Sequence, residues 1–330
     1  MARRKGSKKK MTPAHRFIRL DLQHTPDDND EDFHYIDLAR EMSAINSRLY
    51  RQGMMYHVAN ISIHDSQSNW IKFNTLPNTW PVRKAWQLGF ENWLNMNKRM
   101  DPDVLRQVAK AGKWNDFRIF FSSDHGTDDD KPVFTDVEGN TIKQDEYSYS
   151  KFFPTDGDSV DPNGTYAHMI GKHSGSAGDY DSISLLTAYN EIAIPPAETH
   201  DDASSADDGL VTGVWANLFE STAAINNALA SELDNSYDEP PYSSELFPGM
   251  NGNSGSPWSA REVHIEGQFQ NSAIVGGFEV PCGLICVETK SDSQNIIGLI
   301  IELAPGSYKG VAAEPMGEAK LTNDKSWSVS

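Results

Sequence analysis

Short apolar runs in the last quarter of the chain constrain its fold most strongly. They are SAIVGGFEV, CGLICVET and NIIGLIIEL, at residues 272–280, 282–289 and 295–303. Just upstream, Val263 and Ile265 alternate with polar residues. Runs that are this short, rich in Ile and Val and about ten residues apart are typical of the strands of a β-sandwich or barrel. The block therefore predicts an all-β fold.

The rest of the chain adds strands and places helices between them. Alternating apolar residues predict a strand over 17–23, a hairpin over 54–76, and further strands at DFRIFFS (116–122) and near 181–194. Apolar residues at helical spacing predict three helices, marked by Tyr35 to Leu49, by Val82 to Trp93 after a cap at Asn78 or Thr79, and by Val214 to Leu233. Because no regular βαβ alternation occurs, the helices are expected only in the connections.

The N-terminus separates the charges of the chain. Residues 1–19 contain no acidic residue, whereas the other 311 residues carry 21 Lys and Arg against 47 Asp and Glu. The cations of this segment are Arg3, Arg4, Lys5, Lys8, Lys9, Lys10, Arg16 and Arg19. We predict a disordered basic arm over residues 1–16, because its first ten residues offer six cations and nothing to bury. Such cations suit nucleic-acid phosphates. A nuclear-import signal and a solubilising tail have the same composition.

Residues 17–330 are predicted to form one folded body with long acidic surface loops. Irregular stretches such as DHGTDDDK, PTDGDSVDPNGT and THDDASSADD are expected to run over its surface. No apolar run approaches the roughly 18 residues of a membrane span, so no membrane partner is expected. Cys282 and Cys286 would lie about 13 Å apart on one strand, which is too far for a disulfide. They are expected to be core thiols.

A protease-like motif surrounds Ser254 in GNSGSP, residues 252–257. It resembles the nucleophile loop of chymotrypsin-like proteases. The upstream residues available to complete a triad are His57, His64, Asp65 and Asp124. Nothing resembles the stretch that leads into the catalytic His of that family, so we expect no enzyme.

A crude calcium-loop pattern is formed by Asp156, Asp158 and Asp161, whose carboxylates stand at close intervals. The closing Glu of an EF-hand is missing, so a solvated acidic loop is the favoured interpretation. Ca²⁺ at a subunit contact is the alternative, and no other cofactor is expected. The pair Asp124 and His125 could also ligate a metal, although it is equally compatible with an exposed loop.

Four segments resemble the single jelly-roll capsid proteins of small circular Rep-encoding single-stranded DNA viruses, the circovirus-like group. They are ARRKGSKKK (2–10), YIDLAREMSAINSRLYRQGMMYHVANISIHD (35–65), TLPNTWPVRKAWQLGFENW (75–93) and APGSYKGVAAEPM (304–316). The resemblance implies an eight-stranded jelly roll of two antiparallel sheets that assembles into an icosahedral shell of about 60 copies. The partners would be further copies of the chain and a single-stranded DNA genome, held by the eight cations of residues 1–19. The implied location is the virion, with the host nucleus open as a compartment during assembly.

The arm is shorter and poorer in Arg than those of circoviruses. Help in neutralising the genome would then come from cations of the inner face, namely Arg48, Arg51, Arg83, Lys84, Lys98 and Arg99. Trp80, Trp86 and Trp93 are candidate core or interface anchors. A second class of protein stays open, a non-capsid nucleic-acid-binding β protein that acts as a monomer or small oligomer. The two classes differ in assembly state.

Overall fold

A computed structural model gives the architecture of the chain. It describes residues 13–25, 31–98, 114–127, 133–134, 138, 140, 147–153, 155–156, 159–160, 164–176, 179–193, 257–267, 270–317, 320–321 and 327–328. Within this described part, no helix is long and apolar enough to cross a membrane.

Twenty strands, four helices and one 3-10 turn form the regular structure of the described residues. The strands are β1 (Phe17–His24), β2 (Glu31–Asp37), β3 (Met54–His64), β4 (Ser68–Thr75), β5 (Val133–Phe134), β6 (Lys151–Phe152), β7 (Thr155–Asp156), β8 (Ser159–Val160), β9 (Thr165–His168), β10 (Ser174–Ser176), β11 (Asp179–Ser184), β12 (Trp258–Glu266), β13 (Ser272–Val280), β14 (Leu284–Lys290), β15 (Asn295–Leu303), β16 (Pro305–Gly306), β17 (Gly310–Val311), β18 (Ala313–Pro315), β19 (Lys320–Leu321) and β20 (Trp327–Ser328). The helices are α1 (Leu38–Asn46), α2 (Trp80–Lys98), α3 (Ser123–Thr127) and α4 (Leu185–Ala193), and a 3-10 turn spans Pro281–Gly283.

The long strands form two sheets with jelly-roll pairing. One sheet has the order β13-β3-β15-β1, with β5 beyond β1 and β18 also paired to β3, and the other has the order β12-β4-β14-β2. All of these pairings are antiparallel. Consecutive strands change sheet at each step except between β4 and β12, where a long insertion intervenes. The predicted all-β jelly-roll fold is confirmed.

Side-chain alternation fixes which face of each strand is buried. In β1, Ile18, Leu20 and Leu22 are buried, whereas Arg19 and Asp21 are on the other face and partly exposed. The inward residues of both sheets meet in a first apolar core. This follows from the two-residue period of a strand, which places every second side chain on the same side.

A second core lies on the outer face of the β12-β4-β14-β2 sheet. Ile36 and Ile285 face the first core, whereas their neighbours Tyr35 and Cys286 face the insertion at residues 76–257. The insertion supplies α2, α4 and a small sheet of order β10-β11-β9-β6. At β2 and β14 this sheet is therefore covered on both faces, whereas β12 is largely exposed. In α2, Trp86 and Trp93 are buried in the second core, as predicted, whereas Trp80 is exposed.

Two local predictions are wrong because tertiary contacts override the local pattern. Both strands of the predicted hairpin exist as β3 and β4, but they belong to different sheets and do not pair with each other. In DFRIFFS the apolar side chains are buried, but the segment makes only an isolated bridge, Phe120 to His168. Its Ile119 N–H donates to the Gln52 side chain at 2.6 Å instead of to a strand.

Three further predictions concern helix boundaries. Tyr35 lies in β2, and α1 begins only at Leu38 because the Asp37 side chain accepts the N–H groups of Ala39 and Arg40. The strands predicted near 181–194 are one strand to Ser184 followed by α4. The predicted third helix, Val214 to Leu233, lies outside the described residues.

Candidate nucleic-acid interface

Strand pairing gathers four strand termini of the first sheet at one end of the sandwich. Phe17, the first residue of β1, pairs with Glu302 near the end of β15. Leu303, the last residue of β15, pairs with Val58 of β3, and Tyr56, near the start of β3, pairs with Val280, the last residue of β13. Four segments that are far apart in sequence therefore meet here.

The second sheet contributes its termini to the same end. The three-residue turn 281–283 joins β13 to β14, so the start of β14 lies beside the end of β13. Thr75, at the end of β4, pairs with Ile285 of β14 and with Trp258, the first residue of β12. We call this end the arm end, because the basic N-terminal segment enters the fold there. The opposite end, which carries the turns at 65–67 and 291–294 and the strand ends His24, Glu31, Glu266 and Ser272, is called the far end.

Four hydrogen bonds fix the entry point of the chain. The His15 N–H donates to Asn46 Oδ1 at 2.8 Å, and Asn46 Nδ2 donates to the His15 carbonyl at 3.0 Å. Arg16 Nη1 donates to the Leu303 carbonyl at 3.3 Å, and the Leu303 N–H donates to the Arg16 carbonyl at 2.9 Å. The start of β1 is thus held between the end of α1 and the end of β15.

Loops beside the entry point add cations and tyrosines. Lys309 Nζ donates to the Leu49 carbonyl and lies 5.6 and 5.4 Å from the ring centroids of Tyr50 and Tyr308. The Tyr50 hydroxyl donates a hydrogen bond to the Lys309 carbonyl at 2.9 Å. Burial raises the pKa of Tyr50, and the positive charge of Arg48 partly opposes that rise. The two tyrosines therefore stay neutral next to two cations.

The start of α2 is tied to the same end. Asn78 Nδ2 donates to Glu279 Oε2 at 2.6 Å, which joins the approach to α2 to the end of β13. Arg83 donates to Asn78 Oδ1 at 2.9 Å, and Lys84 is exposed beside it. From β12, Arg261 Nη2 donates to the Gly277 carbonyl at 2.7 Å. Cations from α2 and β12 therefore join those around the entry point.

Three arginines of the arm end have neutral described acceptors. The described acceptors of Arg16, Arg83 and Arg261 are carbonyl or amide oxygens and, for Arg83, also a methionine sulfur. At the far end, in contrast, Lys290 Nζ lies 3.1 Å from Glu31 Oε1. A cation bonded to neutral groups keeps its full charge, so the arm end can attract an external anion.

The far end is acidic in its described residues. Asp65 lies in the turn between β3 and β4, Asp32 near the start of β2, and Asp292 between β14 and β15. Arginines with neutral partners therefore lie where the basic N-terminal segment enters, beside Glu279 and Glu302, whereas the far end carries several carboxylates and Lys290, which is paired with Glu31.

Three of the predicted binding cations have other positions or partners. Arg19 lies within β1 opposite Ile300, on the outer face of the sheet. Arg51 Nη1 is 2.7 Å from Asp116 Oδ1, so this charge is offset inside the fold. Lys98 is exposed at the last residue of α2. The six cations of residues 1–10 and Arg99 lie outside the described residues.

A buried polar network joins the sandwich to the insertion. Asp37 Oδ2 accepts from Gln52 Nε2 at 3.0 Å and from the Tyr147 hydroxyl at 2.9 Å. The Gln52 N–H donates to Asp116 at 3.2 Å. Burial raises the pKa of Asp116, and Arg51 and Arg118 partly oppose the rise. Sequence patterns gave no signal for this network, and it holds the two cores together instead of forming an open site.

The predicted catalytic and metal candidates do not form a site in the described residues. Asp65 accepts from Asn69 at 3.0 Å and from Asn295 at 2.7 Å, which is a turn-stabilising role, while His64 is exposed. The described part of the chain contains no group of three or more His, Cys, Asp or Glu that could hold a metal. Asp156 lies in β7, and Asp158, Asp161 and Ser254 lie outside the described residues.

Among the remaining candidates, Asp124 is exposed and His57 is partly buried, whereas His125 and the two cysteines are buried structural groups. His125 is stacked on Tyr35 at 4.7 Å between ring centroids, and its Nδ1 accepts the Phe121 N–H at 3.1 Å. Cys282 and Cys286 are free thiols in the core, as predicted, although Cys282 lies in the 3-10 turn and not in a strand. Burial raises the pKa of both thiols, that of Cys286 to about 12. Neither thiol is therefore a reactive thiolate.

Lys309 and Arg261 are arm-end cations that sequence reasoning missed. Each stands alone in its local sequence, so no charge run marks it. Their placement depends on strand order, and only the pairing of β15 with β1 and of β12 with β4 brings them to this end.

Comparison of the chain with models of known protein families, with curated proteins and with solved structures finds no match.

Proposed function

We propose that the protein is a viral capsid protein that self-assembles into an icosahedral shell and packages single-stranded DNA through its basic N-terminal arm. The observation that supports this most is the position of the arm. It joins a jelly-roll sandwich at the end where cations keep neutral partners, and the opposite end is acidic.

In a closed shell, this separation of charge would place the cations and the acidic surfaces on opposite sides of the wall. If the arm end faces inward, cations of the arm and of the sandwich meet the phosphates, and acidic surfaces face solvent. Each cation that neutralises a phosphate releases counterions whatever the base sequence. The binding is therefore packaging without sequence readout, and individual arm cations are interchangeable.

The test is negative-stain electron microscopy of purified, nuclease-treated protein, with the 260/280 nm absorbance ratio measured on the same fraction. We expect closed uniform particles that contain nucleic acid. The matched variant keeps the length of the arm and replaces Arg3, Arg4, Lys5, Lys8, Lys9 and Lys10 with Gln. It should give particles or subunits with a protein-like absorbance ratio.

A monomer that stays monomeric across salt and pH would overturn the shell. If that monomer still bound single-stranded DNA through the arm, the protein would belong to the non-capsid class of nucleic-acid-binding β proteins. Particles whose nucleic-acid content is unchanged in the Gln variant would refute the role of the arm.

A further inference from the structure

Exposed aromatic rings are concentrated at the arm end. Phe17, Trp80 and Trp258 are 57%, 55% and 56% exposed, and all three are the first residues of elements that start there. Among the described aromatic residues, one more exceeds half exposure, Trp114 in the insertion. Large rings left open to water on a folded domain indicate a binding surface.

The two indoles at this end flank the end of β4. Trp258 pairs with Thr75, and Trp80 follows Thr75 by five residues, a Cα separation of at most about 18 Å, at the start of the helix α2 that packs in the second core. Tyr189 of α4 contacts the Trp80 ring in a T-shaped arrangement, with 6.1 Å between centroids, and this contact orients the indole. Both rings therefore stand on packed elements of the fold.

A strand irregularity places a cation on the same side as Trp258. In β12 the register with β4 shifts between Ser259 and Arg261, so that Trp258 opposes Thr75 and Arg261 opposes Phe73. Thr75 and Phe73 are two residues apart and share the side of their strand that faces the first core, to which Phe73 belongs, whereas α2 with Trp80 covers the other face of this sheet. Without the shift, Trp258 and Arg261 would project to opposite sides. On α2, Arg83 stands one helical turn after Trp80 and Lys84 is next to it.

We propose that the arm end is a structured contact surface for single-stranded nucleic acid, in which Trp80 and Trp258 stack on bases while Arg83, Lys84 and Arg261 hold phosphates. Every base has a π-face, so stacking tolerates any sequence, but it requires bases that are not already paired and stacked in a duplex. The surface therefore gives the packaging role its preference for single strands, which the arm alone cannot supply. This inference rests on the proposed function, specifically on its nucleic-acid part.

Charge favours nucleic acid over a protein partner. The cores of protein interfaces are depleted in Lys, whereas this surface places Lys84 and two arginines with neutral partners beside its rings. The acidic side chains near these rings have partners within the fold: Glu279 accepts from Asn78 and lies 4.0 Å from His57 Nδ1, Glu302 accepts from Asn60, and Glu262 accepts from Trp70.

The test uses the full-length arm variant with its six cations replaced by Gln, so that binding by the fold is measured without the arm. The probe is a fluorescein-labelled 12-mer of deoxythymidine, compared with a 12-base-pair duplex by anisotropy. Trp80→Leu and Trp258→Leu remove the ring and keep an apolar side chain, whereas Trp80→Phe and Trp258→Phe keep a ring. Phe33→Leu is the control, an aromatic that is 38% exposed and near the far end.

We expect each Leu variant to weaken single-strand binding roughly five- to hundredfold, the Phe variants to lose much less, and Phe33→Leu to bind as the parent does. Duplex binding should be weak and the same in all variants.

Equal binding of single-stranded DNA by all variants, or equal losses for single strand and duplex, would overturn the proposed contact surface while leaving the arm-based function in place. Loss of particles in the Leu variants with unchanged DNA binding would instead assign Trp80 and Trp258 to a subunit contact. No binding by the wild-type protein would overturn both proposals.

Discussion

At the residue scale, single side chains of the second core are tightly constrained. The Trp86 indole is buried, stacks on Phe90 at 5.1 Å between centroids and lies directly over Gly53, where a Cβ would overlap it. Gly53 is also held by its backbone, because its carbonyl accepts the Met316 N–H at 3.1 Å. A glycine is therefore required at this position by packing.

Gly53→Ala should lower the free energy of unfolding by about 1–3 kcal/mol, because the added methyl forces the Trp86 ring to move within a packed core. Denaturant unfolding followed by tryptophan fluorescence measures the change. Gly276→Ala is the matched control, since a Cβ there meets nothing within 4 Å, and it should stay within about 0.5 kcal/mol of the wild type. Equal stability of the two variants would show that Gly53 is not a packing site.

At the element scale, the small sheet of the insertion depends on a buried histidine. His168 of β9 contacts Ser182 of β11 through Nδ1 at 2.6 Å and the Lys172 carbonyl through Nε2 at 2.9 Å. A carbonyl only accepts, so Nε2 carries the proton and Nδ1 accepts from the Ser182 hydroxyl. Burial lowers the pKa of His168 from 6.5 to about 4. The folded state therefore requires the neutral ring.

Acid should destabilise this sheet in a defined window. Between pH 6.5 and about 4, His168 is protonated in the unfolded chain and neutral in the folded chain. The stabilisation that His168 contributes is therefore complete above pH 6.5 and is lost as the pH falls toward 4. The loss amounts to at most about 3 kcal/mol. His168→Gln should make unfolding free energies at pH 7 and pH 5 more similar, while the exposed-site control His64→Gln should keep the wild-type difference. An unchanged pH dependence in His168→Gln would refute this role.

At the scale of the whole molecule, the jelly roll orients charge. Its topology brings the basic N-terminal segment, the loop at 304–312 and the start of α2 to one end and leaves acidic turns at the other. Three of the four described helices, α2, α3 and α4, lie in the connection from β4 to β12, the step between long strands that stays within one sheet, and α1 lies in the connection from β2 to β3.

The charge separation predicts how DNA binding responds to salt. Each phosphate contact with single-stranded DNA contributes a slope of roughly −0.7 to the logarithm of affinity against the logarithm of salt concentration. Replacing the six cations of residues 1–10 with Gln should therefore reduce the magnitude of the slope by up to about 4. Titration of a labelled oligodeoxythymidine from low to moderate salt measures it. A slope that does not change would mean that the arm does not contact the phosphates.

The sequence by itself determined the strands, their buried faces and the charge of the arm, because these depend on neighbouring residues. Alternation predicted β1, short apolar runs predicted β13 and β15, and helical spacing predicted α2 with buried Trp86 and Trp93. Only the tertiary structure decided that β3 and β4 belong to different sheets and that the Tyr35 side chain is buried in a second core. It also decided which cations surround the arm. The physical reason is that strand partners such as Phe17 and Glu302 are separated by most of the chain, so their pairing leaves no local pattern.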